Sequence, residues 1–172
     1  MPSQMKFANM LLLAAGSLAL SACASKAPKE LPPTPGPATS TDSGSQSLGV
    51  VPGSQADFVA TLMGDDTIYF DTDRFNIDSV DAAALTRQAQ WLQRYPAKRI
   101  TIEGHADERG TREYNLALGE RRANAAKNYL ITLGVNAARI TTVSYGKERP
   151  VALGSTDSAW AQNRRAVTVT ID

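Results

Sequence analysis

Residues 103–122 read EGHADERGTREYNLALGERR. The first residues close a strand pattern. From Lys98 to Gly104 (KRITIEG), Ile100 and Ile102 alternate with Thr101 and Glu103, the period-two signature of a strand with one buried face. Gly110 then breaks the run. Thr111 offers a side-chain oxygen to cap a helix, the apolar spacing carries that helix to about Leu133, and Gly134 fits the position just past its end. The stretch is therefore a strand, a charged turn and a long helix. The stretch holds the chain's one histidine, His105, the acids Asp107 and Glu108, and arginines at 109, 112, 121 and 122.

Working outward, Asp66 to Asp71 (DTIYFD) alternates and is rich in β-branched and aromatic residues, so it reads as a strand. Ser79 or Asp81 can cap a helix whose buried face is Ala82, Leu85, Ala89 and Leu92, and Pro96 ends it. Beyond the long helix, Arg139 to Tyr145 (RITTVSY) and Arg165 to Ile171 (RAVTVTI) are two more strands. In the last, Val167, Val169 and Ile171 are expected to face inward and Thr168 and Thr170 outward. The predicted fold is α+β, in the order βαβαββ over residues 58–172. Two main helices pack on one face of a mixed four-stranded sheet.

The long helix has an apolar stripe of Leu118, Ala125, Ala126, Tyr129, Leu130 and Leu133. Arg122 falls in line with it, whereas Glu120 and Arg121 do not and are expected in solvent. A guanidinium on a core stripe is costly unless paired and hydrogen-bonded. Two arrangements meet that cost: an ion pair with Asp107 that braces the turn, or a pocket opening onto the stripe. Both can hold at once, an acid gripping a ligand's ammonium and the arginine its carboxylate. Gly119 costs ~1 kcal/mol relative to alanine in a helix interior, and is read as clearing space beside Asp107 and Arg122.

Composition narrows the function classes. The net charge of +1 argues against a nucleic-acid binder. One cysteine and one histidine are too few soft ligands for a structural zinc site, and no metal or cofactor is expected. Catalysis is not expected either. His105 and Asp107 are two apart, no serine stands in a strand-to-helix elbow, and His105 reads as a hydrogen-bonded structural residue.

The N-terminal third carries an address and a tether. Met10 to Leu20 (MLLLAAGSLAL) is an apolar run behind Lys6. It is shorter than the ~20 residues that span a bilayer and has the length of a signal-peptide core. Leu20-Ser21-Ala22-Cys23 resembles the lipobox of bacterial lipoproteins. That resemblance implies removal of residues 1–22, a diacylglycerol on the Cys23 thiol and an acylated Cys23 amine. Two or three chains anchor stably where one does not. Ala24, in place of a retaining Asp, points to the outer membrane. Residues 23–57 carry Pro28, Pro32, Pro33, Pro35, Pro37 and Pro52 among Ser, Thr and Gly. This linker is expected to lack secondary structure and to reach roughly 100 Å at ~3.1 Å per residue.

Several separated motifs share one further resemblance: Glu103 to Thr111, Tyr114-Asn115, Leu118-Gly119, Arg121-Arg122-Ala123, Tyr69-Phe70-Asp71, Ser144-Tyr145-Gly146 and Asn163 to Val167. Together they resemble the peptidoglycan-associated lipoproteins, whose globular part belongs to the OmpA-like C-terminal domains. The resemblance implies a non-covalent pocket for the diaminopimelate of the peptidoglycan stem peptide. It places Asp107 and Arg122 on the diaminopimelate, Phe70 and Asp71 at a strand end lining the pocket, and Asn115, Leu118 and Arg164 around it. It also implies partners, namely TolB on an overlapping surface and, through it, the Tol proteins of the inner membrane. The implied role is to hold the outer membrane to the wall, especially during constriction at division. The chain departs from the family pattern at Thr72, where a second aromatic is more usual.

Overall fold

The computed structural model describes residues 49–171. The expected signal segment, Cys23 and most of the expected linker lie outside the described residues. Within them run α1 (Gln55–Leu62), β1 (Thr67–Tyr69), α2 (Ser79–Arg94), β2 (Arg99–His105), α3 (Arg112–Thr132), β3 (Ile140–Gly146), α4 (Asp157–Asn163) and β4 (Arg165–Ile171). The sheet order is β1-β4-β2-β3. Only β2 and β3 are parallel, and β4 is antiparallel to both its neighbours. The predicted mixed sheet and βαβαββ order are present, with α2 and α3 as the main helices and α1 and α4 added. Among the described residues no helix is long and apolar enough to cross a membrane.

The caps explain where the helices start. Thr111 caps α3 as expected, its side chain accepting from Tyr114 N, and Gly134 follows with φ 90°. For α2 the cap is Asp78, which accepts from Val80 N and Asp81 N. The expected candidates Ser79 and Asp81 are already helical, and the Asp81 carboxylate instead receives Tyr69 N at 3.2 Å. The linker expectation fails at its C-terminal end. Ser54 caps α1, so helix begins at Gln55. Phe58 then packs edge-on against Trp91 at 4.9 Å, and the indole Nε1 donates to Asp57 Oδ2 at 3.0 Å.

The core lies between the sheet and α2 and α3. Ile68, Ile100, Ile102, Ile140 and Ala166 face Leu85, Ala89, Leu92, Ala123, Ala126 and Leu130. The expected facing of β4 is inverted. Thr168 and Thr170 are buried, Val167 and Val169 half-buried, and Ile171 exposed. The register is the reason, because Thr168 lies opposite Ile102 and Thr170 opposite Ile100, so the threonines share the helix-covered face. Their hydroxyls are satisfied there. Thr168 Oγ1 donates to Gln88 Oε1 at 2.8 Å, and Thr170 N and Oγ1 donate to Gln55 Oε1 at 2.7 and 2.9 Å.

Gly119 faces the sheet backbone and not a ligand. A Cβ there would meet Ser144 Oγ at 2.4 Å and Gly104 O at 2.8 Å. Its missing side chain lets α3 lie directly on β2, which fixes the height of Arg122 above the strand ends.

Candidate functional site

β2 ends in a register shift between Gly104 and His105, and the chain turns through residues 106–111 into α3. Asp107 folds back on this turn. Its Oδ1 accepts from the Arg109 backbone N at 3.1 Å and from Arg109 Nε at 3.1 Å, and its Oδ2 from Arg109 Nη2 at 2.7 Å. Arg164, between α4 and β4, adds Nη1 at 3.4 Å. Burial would raise the Asp107 carboxyl, but the hydrogen bonds from the Arg109 side chain and backbone outweigh it and hold the group below the ordinary carboxylate range. Three further side chains fix the turn. Asn115 Nδ2 donates to Arg109 O at 2.8 Å, Lys147 Nζ to Gly110 O at 2.7 Å, and Trp160 Nε1 to Glu108 Oε1 at 3.0 Å.

Arg122 is fully buried. Its guanidinium ties the loop after β1 to the end of β2 through three backbone carbonyls: Nε to Arg74 O at 2.9 Å, Nη1 to His105 O at 2.7 Å and Nη2 to Asp71 O at 3.0 Å. The Phe70 ring lies 5.2 Å from it. Burial first, then the Arg164 charge, lower its pKa to about 10, so it stays cationic at neutral pH. A guanidinium has five N–H donors, and these bonds leave part of the fork unspent. Of the two arrangements open to Arg122, the ion pair with Asp107 is not formed. Asp107 pairs with Arg109 and Arg164, and Arg122 meets its burial cost on carbonyls.

Arg122 and Asp107 nonetheless line one cavity of about 300 Å³, together with Thr72, Asp73, Arg109, Gly110, Tyr114, Leu118 and Arg164. Four expected residues, Asp107, Leu118, Arg122 and Arg164, are therefore brought together. Phe70 and Asp71 line a neighbouring cavity of about 340 Å³. Arg164 borders both cavities, its Nε held by Phe70 O at 2.9 Å. Asn115 sits beneath the turn and positions it.

The sequence reading missed Thr72, Asp73, Arg109 and Tyr114. Nothing in the spacing sets Arg109 apart from the other arginines of residues 103–122. Asp73 occupies the left-handed region at φ 56°, which an Asp tolerates better than most residues, and its Oδ1 accepts from the Tyr114 hydroxyl. Among the described residues no ion pair to it is formed. An acid two residues past Asp71 was the available signal. Thr72, noted only as a departure, takes Arg109 Nη2 on its hydroxyl at 3.3 Å.

His105 differs from expectation. It is 1% exposed, yet neither ring nitrogen has a hydrogen-bond partner, and Nε2 stands 3.7 Å from Glu103 Oε2. Burial, with the nearby charges of Arg165 and Arg149, lowers its pKa to about 4, so the ring is neutral at pH 7. Among the described residues there is no group of three or more His, Cys, Asp or Glu able to hold a metal ion. The cavity offers fixed cations beside carboxylates, an arrangement suited to a small zwitterion.

Comparison with known proteins agrees with this architecture. Residues 69–164 match the model of the OmpA family. The chain is 54% identical over 156 residues to the peptidoglycan-associated lipoprotein of Rhizobium meliloti (strain 1021), covering 89% of this chain and 82% of that protein. It is 53% identical over 153 residues to that of Brucella melitensis, covering 89% and 86%. Among solved structures, the peptidoglycan-associated lipoprotein of Burkholderia pseudomallei superposes with a TM-score of 0.60 at 48% identity, over 61% of this chain and 89% of that one. The C-terminal domain of Helicobacter pylori MotB, at 22% identity and a TM-score of 0.58, covers 62% of this chain and 84% of that one and shares the fold.

Proposed function

The chain belongs to the OmpA family and, within it, to the peptidoglycan-associated lipoproteins, and on that premise we propose that it is an outer-membrane lipoprotein that binds the cell wall without covalent bonds. Its ligand is the diaminopimelate of the stem peptide, an α-amino acid head on an aliphatic stem. The observation that carries this is the cavity of about 300 Å³ in which the buried Arg122 guanidinium stands with the Asp107 and Asp73 carboxylates. Its volume is at the small end of ligand pockets, which suits one amino-acid head. Arg122 would grip the carboxylate through its unspent N–H groups, and Asp107 with Asp73 would take the ammonium. Leu118 would pack against the methylenes. Arg164 would add charge at the rim, and Asn115 would hold the turn.

The anchor is the Cys23 thiol, carrying diacylglycerol after residues 1–22 are removed. The proline-rich linker up to α1 is the tether, and the wall-binding domain follows it. TolB would contact a surface overlapping the cavity and connect the protein to the Tol proteins of the inner membrane. The chain would then tie outer membrane to wall and support constriction at division.

The test is a pull-down with insoluble diaminopimelate-type wall, using the full chain in detergent. Wild type is expected in the pellet and Asp107→Ala in the supernatant, with unchanged circular dichroism. Retention of Asp107→Ala on the wall would sink the proposed site. Replacing Cys23 by Ser should release the chain from membranes, and continued membrane association would overturn the lipid anchor.

A further inference from the structure

We infer that Arg109 is a specificity-determining residue: its guanidinium occupies the Asp107 carboxylate in the free protein and yields it to ligands that bring an ammonium and a carboxylate together. The inference rests on the binding role proposed above. Asp107 is the carboxylate expected to receive the ligand's ammonium, but both its oxygens already carry Arg109, at 3.1 Å for Nε and 2.7 Å for Nη2. A ligand must compete for that place.

Of the three arginines at the cavity, Arg109 is the one built to move. Arg122 is fully buried and held by three backbone carbonyls. The Arg164 side chain is 14% exposed and anchored on Phe70 O. The Arg109 side chain is 41% exposed. Its other partners are the Thr72 hydroxyl and the face of Trp160, with the guanidinium carbon 4.2 Å from the ring. The guanidinium side of this pair is open to water, so it can leave, whereas the Asp107 carboxylate is 9% exposed and needs a replacement cation when it does; a flat aromatic face lets the guanidinium slide without losing its cation–π contact.

The consequence is an exchange of partners. A ligand carrying only an ammonium, such as a lysine side chain, displaces Arg109 from Asp107 and leaves two cations facing each other. A ligand carrying ammonium and carboxylate on one carbon, as diaminopimelate does, returns a carboxylate to the displaced guanidinium, with Arg122 on its other side. The two stem residues differ by that one carboxylate. Arg109 thus converts its presence into affinity, by penalising the ligand that lacks it.

The experiment is calorimetric titration of the full chain in detergent with a diaminopimelate-containing stem tripeptide and its lysine counterpart. Wild type is expected to prefer the diaminopimelate peptide by about tenfold or more. In Arg109→Gln the preference falls to about threefold or less, chiefly because the lysine peptide binds more tightly. Arg109→Lys, which keeps the charge, retains most of the preference. Equal preference in wild type and Arg109→Gln, or weaker lysine-peptide binding in Arg109→Gln, overturns the inference while leaving the site intact. Loss of preference in Arg109→Lys as complete as in Arg109→Gln overturns the charge exchange. A wild type that binds neither peptide overturns the binding role itself, and the inference with it.

Discussion

Gly104 of β2 and Gly119 of α3 touch backbone to backbone: a Cβ on Gly104 would stand 1.8 Å from Gly119 O. No rotamer relieves that contact, because the obstacle is main chain. Gly104→Ala must push α3 off the sheet, and overpacking of this kind costs about 3 kcal/mol or more. Gly119→Ala meets the Ser144 hydroxyl at 2.4 Å and Gly104 O at 2.8 Å. Its helix-propensity gain of ~1 kcal/mol offsets only part of the strain. Urea unfolding should show both variants destabilised, Gly104→Ala the more. A Gly119→Ala variant more stable than wild type would mean that α3 shifts freely.

Arg122 supports the fold as well as the site. Arg122→Ala removes the donors to Asp71 O, Arg74 O and His105 O and empties a fully buried position. The buried His105 carbonyl left without its charged donor, the two other lost charged bonds and the emptied core position together cost on the order of 3–5 kcal/mol. The variant should lose wall binding and unfold at clearly lower urea than wild type. An unshifted midpoint would show that water replaces the guanidinium at all three carbonyls.

Asp73 isolates binding from stability. Asn tolerates the left-handed backbone that Asp73 adopts, so Asp73→Asn should leave the unfolding midpoint within about 0.5 kcal/mol. Losing one charge from the cavity should weaken the diaminopimelate peptide about tenfold, since ~1.4 kcal/mol is a factor of ten. Titration checks this, and unchanged affinity would remove Asp73 from the site.

His105 gives stability a pH dependence on the acid side. Its folded pKa of about 4 lies below the ordinary histidine value of 6.5. Between those values the unfolded chain binds a proton that the folded chain refuses. Stability is therefore full above about pH 6.5 and declines toward pH 4, by up to about 1.4 kcal/mol per pH unit. Unfolding curves at pH 7.5, 6 and 5 should show the decline in wild type, and His105→Phe should flatten it. An identical slope in the variant would place the dependence on other groups.

The short helices α1 and α4 were not legible in the chain, whereas the order of the four strands and two main helices, the Thr111 cap, the Gly134 stop and the presence of Arg122 on a buried stripe were. Each depends on residues two to four apart, and local backbone geometry sets those relations. Tertiary structure decided the rest. Alternation in β4 offers two faces, and only the register with β2 puts Thr168 and Thr170 beneath the helices. The partners of Arg122 are carbonyls 17, 48 and 51 residues away, brought within reach by the strand ends that α3 crosses. A glycine inside the helix pointed to cleared space beside Asp107 and Arg122, and only the docked sheet shows that Gly104 fills that space. The stripe marked Arg122 as buried, and long-range packing determined that Asp107 would be held by Arg109 and Arg164 instead.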